Sequence, residues 1–290
     1  MKTLVGRILP VFFALGITYS SSAQETIIIP DTLDNEWATT WVAGINGSQA
    51  TYNNWAAGGQ NNIAATFFTR LNGAYRKGKL TYGYVFNLRY GLTNIEGEDS
   101  RKTDDRIATK HRLAYILNDE NTMNAFAEVS FVTQFYDGYD YSTDPRTRIS
   151  NFMAPGYFSQ TIGYAYTPAD YISFEAGLGL KQTYVGDEDL LPSYGVDVGE
   201  NVFAEGGLTT GISFNKEILA NVTYTSRFET FTNLNNSFDR TDVSWANELS
   251  GRINQYLTAS FQFELVYDDD VTTELQTKQV LAVGFLVNLR

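Results

Sequence analysis

The chain has 290 residues, no cysteine, one histidine and a formal net charge of −12. That inventory excludes disulfides, thiolate metal sites, a lipid-modified N-terminal cysteine and histidine clusters, and so acidic a chain is a poor partner for nucleic acid. It holds 19 Tyr, 19 Phe and 4 Trp, many for an acidic water-soluble protein but ordinary for a membrane barrel, whose strands are only half apolar.

Lys2 and Arg7 lead into an apolar run from Ile8 to Tyr19, followed by Ser21-Ser22-Ala23. This is the order of a cleavable secretory signal, and the run is too short to span a bilayer. A mature chain beginning at Gln24 keeps 267 residues and, without Lys2 and Arg7, carries a net charge of −14. Residues 1–23 are thus expected to be a signal peptide. Residues 24–36, with the apolar run Ile27 to Ile29 ahead of Pro30, read as a loose periplasmic tail.

From Trp37 the chain breaks into twelve alternating segments, at 37–50, 62–76, 80–95, 104–117, 122–136, 156–167, 171–185, 201–214, 219–232, 240–253, 256–269 and 277–290. Tight polar turns at Lys77-Gly78-Lys79, Asn118 to Asn121, Pro168 to Asp170, Asn215 to Ile218 and Asn254-Gln255 alternate with longer links. The longer links come first and last. An even-stranded barrel with both termini in the periplasm and long loops outside has this rhythm, whereas Greek-key crossings in a soluble sandwich give no reason for it. Residues 37–290 are therefore expected to form an all-β, transmembrane, antiparallel up-and-down barrel of about twelve strands. No segment approaches the roughly 18 apolar residues of a membrane helix.

Strand parity assigns the faces. In the third segment Leu80, Tyr82, Tyr84, Phe86, Leu88, Tyr90 and Leu92 share one face, opposite Thr81, Gly83, Val85, Asn87, Arg89 and Gly91. The last segment puts Leu281, Val283, Phe285, Val287 and Leu289 on one face and stops where the chain stops. It is expected to close the barrel against the first strand, since an open edge in lipid leaves backbone groups unsatisfied.

The same parity gathers charge inside: Arg70, Arg89, Arg106, Lys110, Arg112, Glu128, Glu175, Lys181, Glu205, Arg227, Glu229, Glu248, Arg252 and Glu264. A charge facing hydrocarbon at the midplane costs roughly 2–4 kcal/mol, so an inward direction is the consistent one. Twelve strands tilted near 40° give a backbone diameter of roughly 24 Å and a free lumen on the order of 10 Å. Such a lumen suits a narrow pore with a basic wall facing an acidic one, or an Arg/Glu network that ties the interior shut.

Outside the lumen little points to chemistry. His111 and Thr109 share outward parity, but Leu113 stands where a barrel lipase of that outline carries its serine nucleophile, so no enzyme and no cofactor are expected. Acidic groups such as Asp137, Asp140 and Asp144 lack EF-hand spacing and read as solvated loop tips. The loop Trp55 to Asn62 and the run Ile149 to Tyr157 are apolar for outer loops; structural packing is the first expectation for both, with a lid or interfacial Trp55 and an inward-tucked partial plug at Ile149 to Tyr157 as the alternatives.

Several stretches carry a family likeness: Trp55-x-x-Gly58-Gly59-x-Asn61, Tyr75 to Lys79, Lys102 to Arg106, Ile149 to Tyr157, Tyr194-Gly195-Val196-Asp197-x-Gly199 and Tyr267-Asp268-Asp269. With them the chain resembles an uncharacterised Bacteroidetes family, a domain of unknown function in secreted, presumed outer-membrane proteins. The resemblance implies location and barrel fold, and no substrate, reaction or ligand residue. The functional expectation is a monomeric outer-membrane pore or small-solute transporter, with outer-membrane lipid and the barrel assembly machinery as partners and no nucleic acid. A closed structural or adaptor barrel that binds envelope partners through its loops is the alternative, and a lipid-active enzyme a distant third.

Overall fold

The structure is a computed structural model, and it describes Ile27, Ile29 and residues 33–51, 60–234, 241–268 and 272–289. The signal reading, the Trp55 loop with Gly58 and Gly59, and Asp269, Asp270 and Arg290 lie outside the described residues. The strands are β1 (Trp37–Ala50), β2 (Asn62–Lys77), β3 (Leu80–Ile95), β4 (Arg101–Ile116), β5 (Met123–Thr133), β6 (Gly138–Asp140), β7 (Thr147–Ser150), β8 (Gly156–Ala169), β9 (Ile172–Tyr184), β10 (Val202–Leu219), β11 (Val222–Asn233), β12 (Thr241–Arg252), β13 (Leu257–Asp268) and β14 (Thr272–Asn288). Twelve of them form one closed antiparallel barrel, each next to its neighbour in sequence, while β6 and β7 form a separate hairpin between β5 and β8.

Closure falls where the last segment predicts it. β14 pairs β1 with Ile45 opposite Phe285 and Gly47 opposite Val283, so the sheet has no free edge. The apolar face of β14 points outward, with Leu281 79% exposed and Val283, Phe285 and Val287 also exposed. Trp41, Ile45, Phe67, Ile162, Leu178 and Phe261 continue that apolar exterior around the ring. Inward positions on β3 have the opposite character, with Val85, Asn87 and Arg89 buried. A polar interior inside an apolar exterior is the arrangement of a barrel that meets hydrocarbon outside.

The short connections use residues that tolerate left-handed backbone, with Gly78 at φ 57°, Asn121 at φ 57° and Asn221 at φ 64°. One turn moves. Asn215 to Ile218, expected to reverse the chain, instead continue β10 to Leu219. The reversal shifts to Asn221, whose N–H donates to Glu217 Oε1 at 2.8 Å. The Asp137 to Pro155 link also carries more structure than a bare loop, in the form of the β6–β7 hairpin.

The two ends of the lumen differ in chemistry. Near the short turns its wall is apolar, with Ala74, Val85, Ala114, Ile116, Phe126 and Ala165 buried. Ile27 is found there, against the lumenal face of Gly83, where the sequence suggests a loose tail. An apolar side chain gains by leaving water for such a wall. Toward the long loops the wall is charged and hydroxyl-rich.

Candidate functional site in the lumen

Alternation on each strand delivers the charged side chains to the interior, and the barrel's curvature lets them reach one another across it. Arg112 on β4 contacts Glu128 on β5 at 3.4 Å and Glu175 on β9 at 2.7 Å. Glu175 also accepts from Arg227 on β11 at 2.9 Å, and Arg227 contacts Glu229 at 2.7 Å and donates to Ser213. Lys110 adds a contact to Glu128 at 3.3 Å. One belt of alternating sign therefore runs from β4 to β11 through space rather than along the sheet.

A second cluster centres on Lys181 of β9. Its ammonium lies 2.8 Å from Asp242, 3.0 Å from Asp268 and 3.6 Å from Glu205. Glu205 also accepts from Asn233 Nδ2 at 2.6 Å. A third joins Arg89 to Asp104 at 3.4 Å, with Lys278 at 3.9 Å from the same carboxylate. Arg106, 2% exposed, stands opposite Arg89 in register and within electrostatic reach of Asp104. Pairing of this kind is what buried charge requires, because an isolated ion in a low-dielectric interior is costly.

Of the residues singled out by parity, Lys110, Arg112, Glu128, Glu175, Arg227 and Glu229 come together in the belt. Glu205 joins the Lys181 cluster and Arg89 the Asp104 cluster. Arg70 lies on the β2 wall opposite Asn87, Glu264 is buried opposite Lys278, and Glu248 is half-buried opposite Gln262. Arg252 has lumenal parity but ends exposed at the turn-end rim, donating to Asn221 Oδ1 at 2.9 Å. Asp104, Asp242, Asp268 and Lys278 were missed as partners. Their parity is readable; the three acidic ones lie toward the ends of β4, β12 and β13, where acidic residues read as loop, whereas Lys278 lies inside β14, which begins five residues before the expected segment.

A folded cap covers the loop end. A 3-10 helix, Glu188–Tyr194, ends on Gly195 at φ 67° and buries Leu190, Leu191 and Tyr194 against Ala154, Val185 and Val196. The Tyr194 hydroxyl donates to the Ile149 carbonyl at 2.8 Å, and burial holds its phenol above the ordinary tyrosine range. Asp187 ties the cap to the hairpin through Arg148 at 2.6 Å and Asn151 at 2.6 Å. The Ile149 to Tyr157 run thus supports the cap, as its apolar character suggests.

Between cap and belt lies a cavity of about 360 Å³, lined by Tyr139, Tyr141, Ile149, Ser150 and Tyr194 from the loops and by Glu128, Glu175, Lys181, Arg227 and Asp268 from the strands. That is the size of a small-molecule site. Among the described residues no three His, Cys, Asp or Glu side chains converge as a metal-ligating group. On the exterior, His111 contacts Tyr82 Oη at 2.7 Å and Thr109 Oγ1 at 3.1 Å, and Thr109 also donates to the Val85 carbonyl at 3.2 Å. Both ring nitrogens are thereby occupied beneath the aromatic group of Trp37, Tyr75 and Tyr84.

Similar proteins fall among outer-membrane barrels. An outer membrane channel from Pseudomonas putida F1 is 10% identical with a TM-score of 0.44, over 94% of this chain and 100% of the other. The translocator domain of the autotransporter NalP from Neisseria meningitidis is 10% identical with a TM-score of 0.37, over 86% and 87%. The Pseudomonas putida toluene transporter TodX is 7% identical with a TM-score of 0.35, over 92% and 95%. No curated protein matches the chain. In sequence, residues 48–139, from the end of β1 into β6, match the family described as protein of unknown function (DUF3078).

Proposed function

We propose that this chain is an outer-membrane barrel providing a narrow, ion-paired path for a small polar solute. It is exported by a signal peptide cleaved after Ala23, inserted as a monomer by the barrel assembly machinery, and set with both termini in the periplasm and the cap outside. The observation that carries this reading is the cavity of about 360 Å³ held between a cap and a belt of paired charges. A lumen serving only as a scaffold gains nothing from a space of small-molecule size beneath folded loops. The belt then acts as the constriction, because ion pairs in a wet lumen exchange partners with a solute or with water more readily than packed apolar side chains part. Swelling of proteoliposomes in small polar solutes tests the reading. Swelling that falls off with solute size supports it, and none above that of protein-free liposomes sinks it.

A second reading, a closed adaptor barrel, is favoured by one observation. The belt crosses three strand positions from Arg112 to Glu175 while Ile27 occupies the apolar end of the lumen. In that case the cap would be the working surface, offered to another envelope protein.

A further inference from the structure

Charge is shared unevenly between the two ends of the barrel. At the loop end, the described links 96–100, 134–155 and 185–201 carry eleven Asp or Glu side chains against two arginines, Arg146 and Arg148. At the turn end, the links 78–79, 117–122, 170–171, 220–221 and 253–256 carry three acidic side chains and one lysine. The loop-end carboxylates are largely solvent-facing, with Glu96, Asp99, Glu188, Asp189, Asp197 and Glu200 exposed.

The same sign continues inward. The cavity beneath the cap is lined by seven carboxylates and five cationic side chains, and two of those carboxylates, Asp242 and Asp268, share the single ammonium of Lys181 with Glu205. At the belt the signs balance, with Lys110, Arg112 and Arg227 set against Glu128, Glu175 and Glu229. The basic cluster round Asp104 leans the other way, but of its cations only Arg106 reaches the cavity wall. An excess of carboxylates at a pore mouth raises the local concentration of cations and lowers that of anions, and low-dielectric walls focus this field into the lumen. From these two layers of carboxylate we infer that the path is cation-selective. It passes small cations, ammonium-bearing solutes included, in preference to anions of similar size. The loop carboxylates concentrate the cation, and Asp242 and Asp268 set the preference inside.

This inference rests on the small-solute path proposed above, and the experiment separates the two. Reversal potentials of the purified barrel in planar bilayers are measured across gradients of potassium chloride and of ethylammonium chloride. Each cation is predicted to be at least about threefold more permeant than chloride at low salt. Glu188→Gln, Asp189→Asn, Asp197→Asn and Glu200→Gln together should lower that ratio at low salt and change it little at about 1 M, where exposed charges are already screened. Asp242→Asn with Asp268→Asn should lower it at both, because enclosed charges are screened less. Each variant is checked for a folded barrel by its heat-modifiable migration. The sign of the wild-type preference and the loop variant decide the question should the lumenal variant not fold. A preference for chloride, no preference, or a cation preference that neither set of changes lowers overturns the selectivity and leaves the path standing. A folded barrel that inserts and passes no current overturns the path and the selectivity with it.

Discussion

Ile27 rests on the bare lumenal face of Gly83, with its Cγ2 where a side chain at position 83 would begin. Its Cβ is 3.6 Å from the position a Cβ on residue 83 would take, within the usual Cβ to Cβ span of a disulfide. Because the chain has no cysteine, the pair Ile27→Cys with Gly83→Cys makes an unambiguous probe. Mild oxidation is expected to lock the two together, seen as a mobility change on non-reducing electrophoresis. Free thiols throughout the folded fraction would mean that Ile27 does not hold this seat.

Arg227 is the hinge of the belt, touching Glu175, Glu229 and Ser213 from one guanidinium. Removing it leaves two carboxylates in the lumen without that cation. Arg227→Ala is therefore expected to cost about 3–5 kcal/mol, while Arg227→Ala combined with Glu175→Ala should cost less than the two single changes summed. Urea unfolding of the detergent-folded barrel measures both. Additive losses would show that the pair is not coupled.

The exterior makes a different prediction. Leu281, opposite Phe261 on β13, has no buried role in the barrel, yet Leu281→Arg should destabilise the lipid-inserted form by roughly 2–4 kcal/mol. In a water-facing sheet the same change would be nearly neutral. At the chain's end, the Leu289 N–H donates to the Trp41 carbonyl at 2.7 Å, fixing the seam between β14 and β1. Leu289→Asp is expected to block membrane assembly, read as loss of heat-modifiable barrel from outer-membrane fractions. A normal amount there would count against it.

The cap depends on few contacts. Tyr194→Phe removes the bond to Ile149 and should cost about 1 kcal/mol. Leu191→Ala, which empties part of the small apolar cluster, should cost about 2–5 kcal/mol of local stability. Limited proteolysis ought to cut the 186–200 segment faster in both variants, and more so in Leu191→Ala, while the strands stay protected. Unchanged cleavage would show that the 3-10 helix does not hold the cap.

Most strand positions were legible because they obey a period of two and meet a short polar turn at one end, although β1 and β8 alternate poorly. β3 begins and ends at the residues the alternation indicates, and the β1–β14 closure follows from the final apolar face. Parity also found most of the belt. It could not say that Arg112 reaches past β5 to Glu175, since that contact depends on barrel curvature rather than on strand order. It passed over Asp104 and Asp268 because acidic residues near a strand end are as common in loops, and over Lys278 because β14 begins at Thr272, earlier than the alternation indicates. The seat of Ile27, the β6–β7 hairpin and the 3-10 helix were hidden for another reason. Each is a short segment with no period of its own, placed by contacts with residues elsewhere in the fold.

Single-channel recording in planar bilayers bears most directly on the claim that the lumen is a narrow path. The wild-type barrel is predicted to give small, discrete conductance steps above leak, altered in size when the belt is broken by Arg227→Ala with Glu175→Ala. Correctly folded barrel that inserts and conducts nothing, with or without the belt, would contradict it.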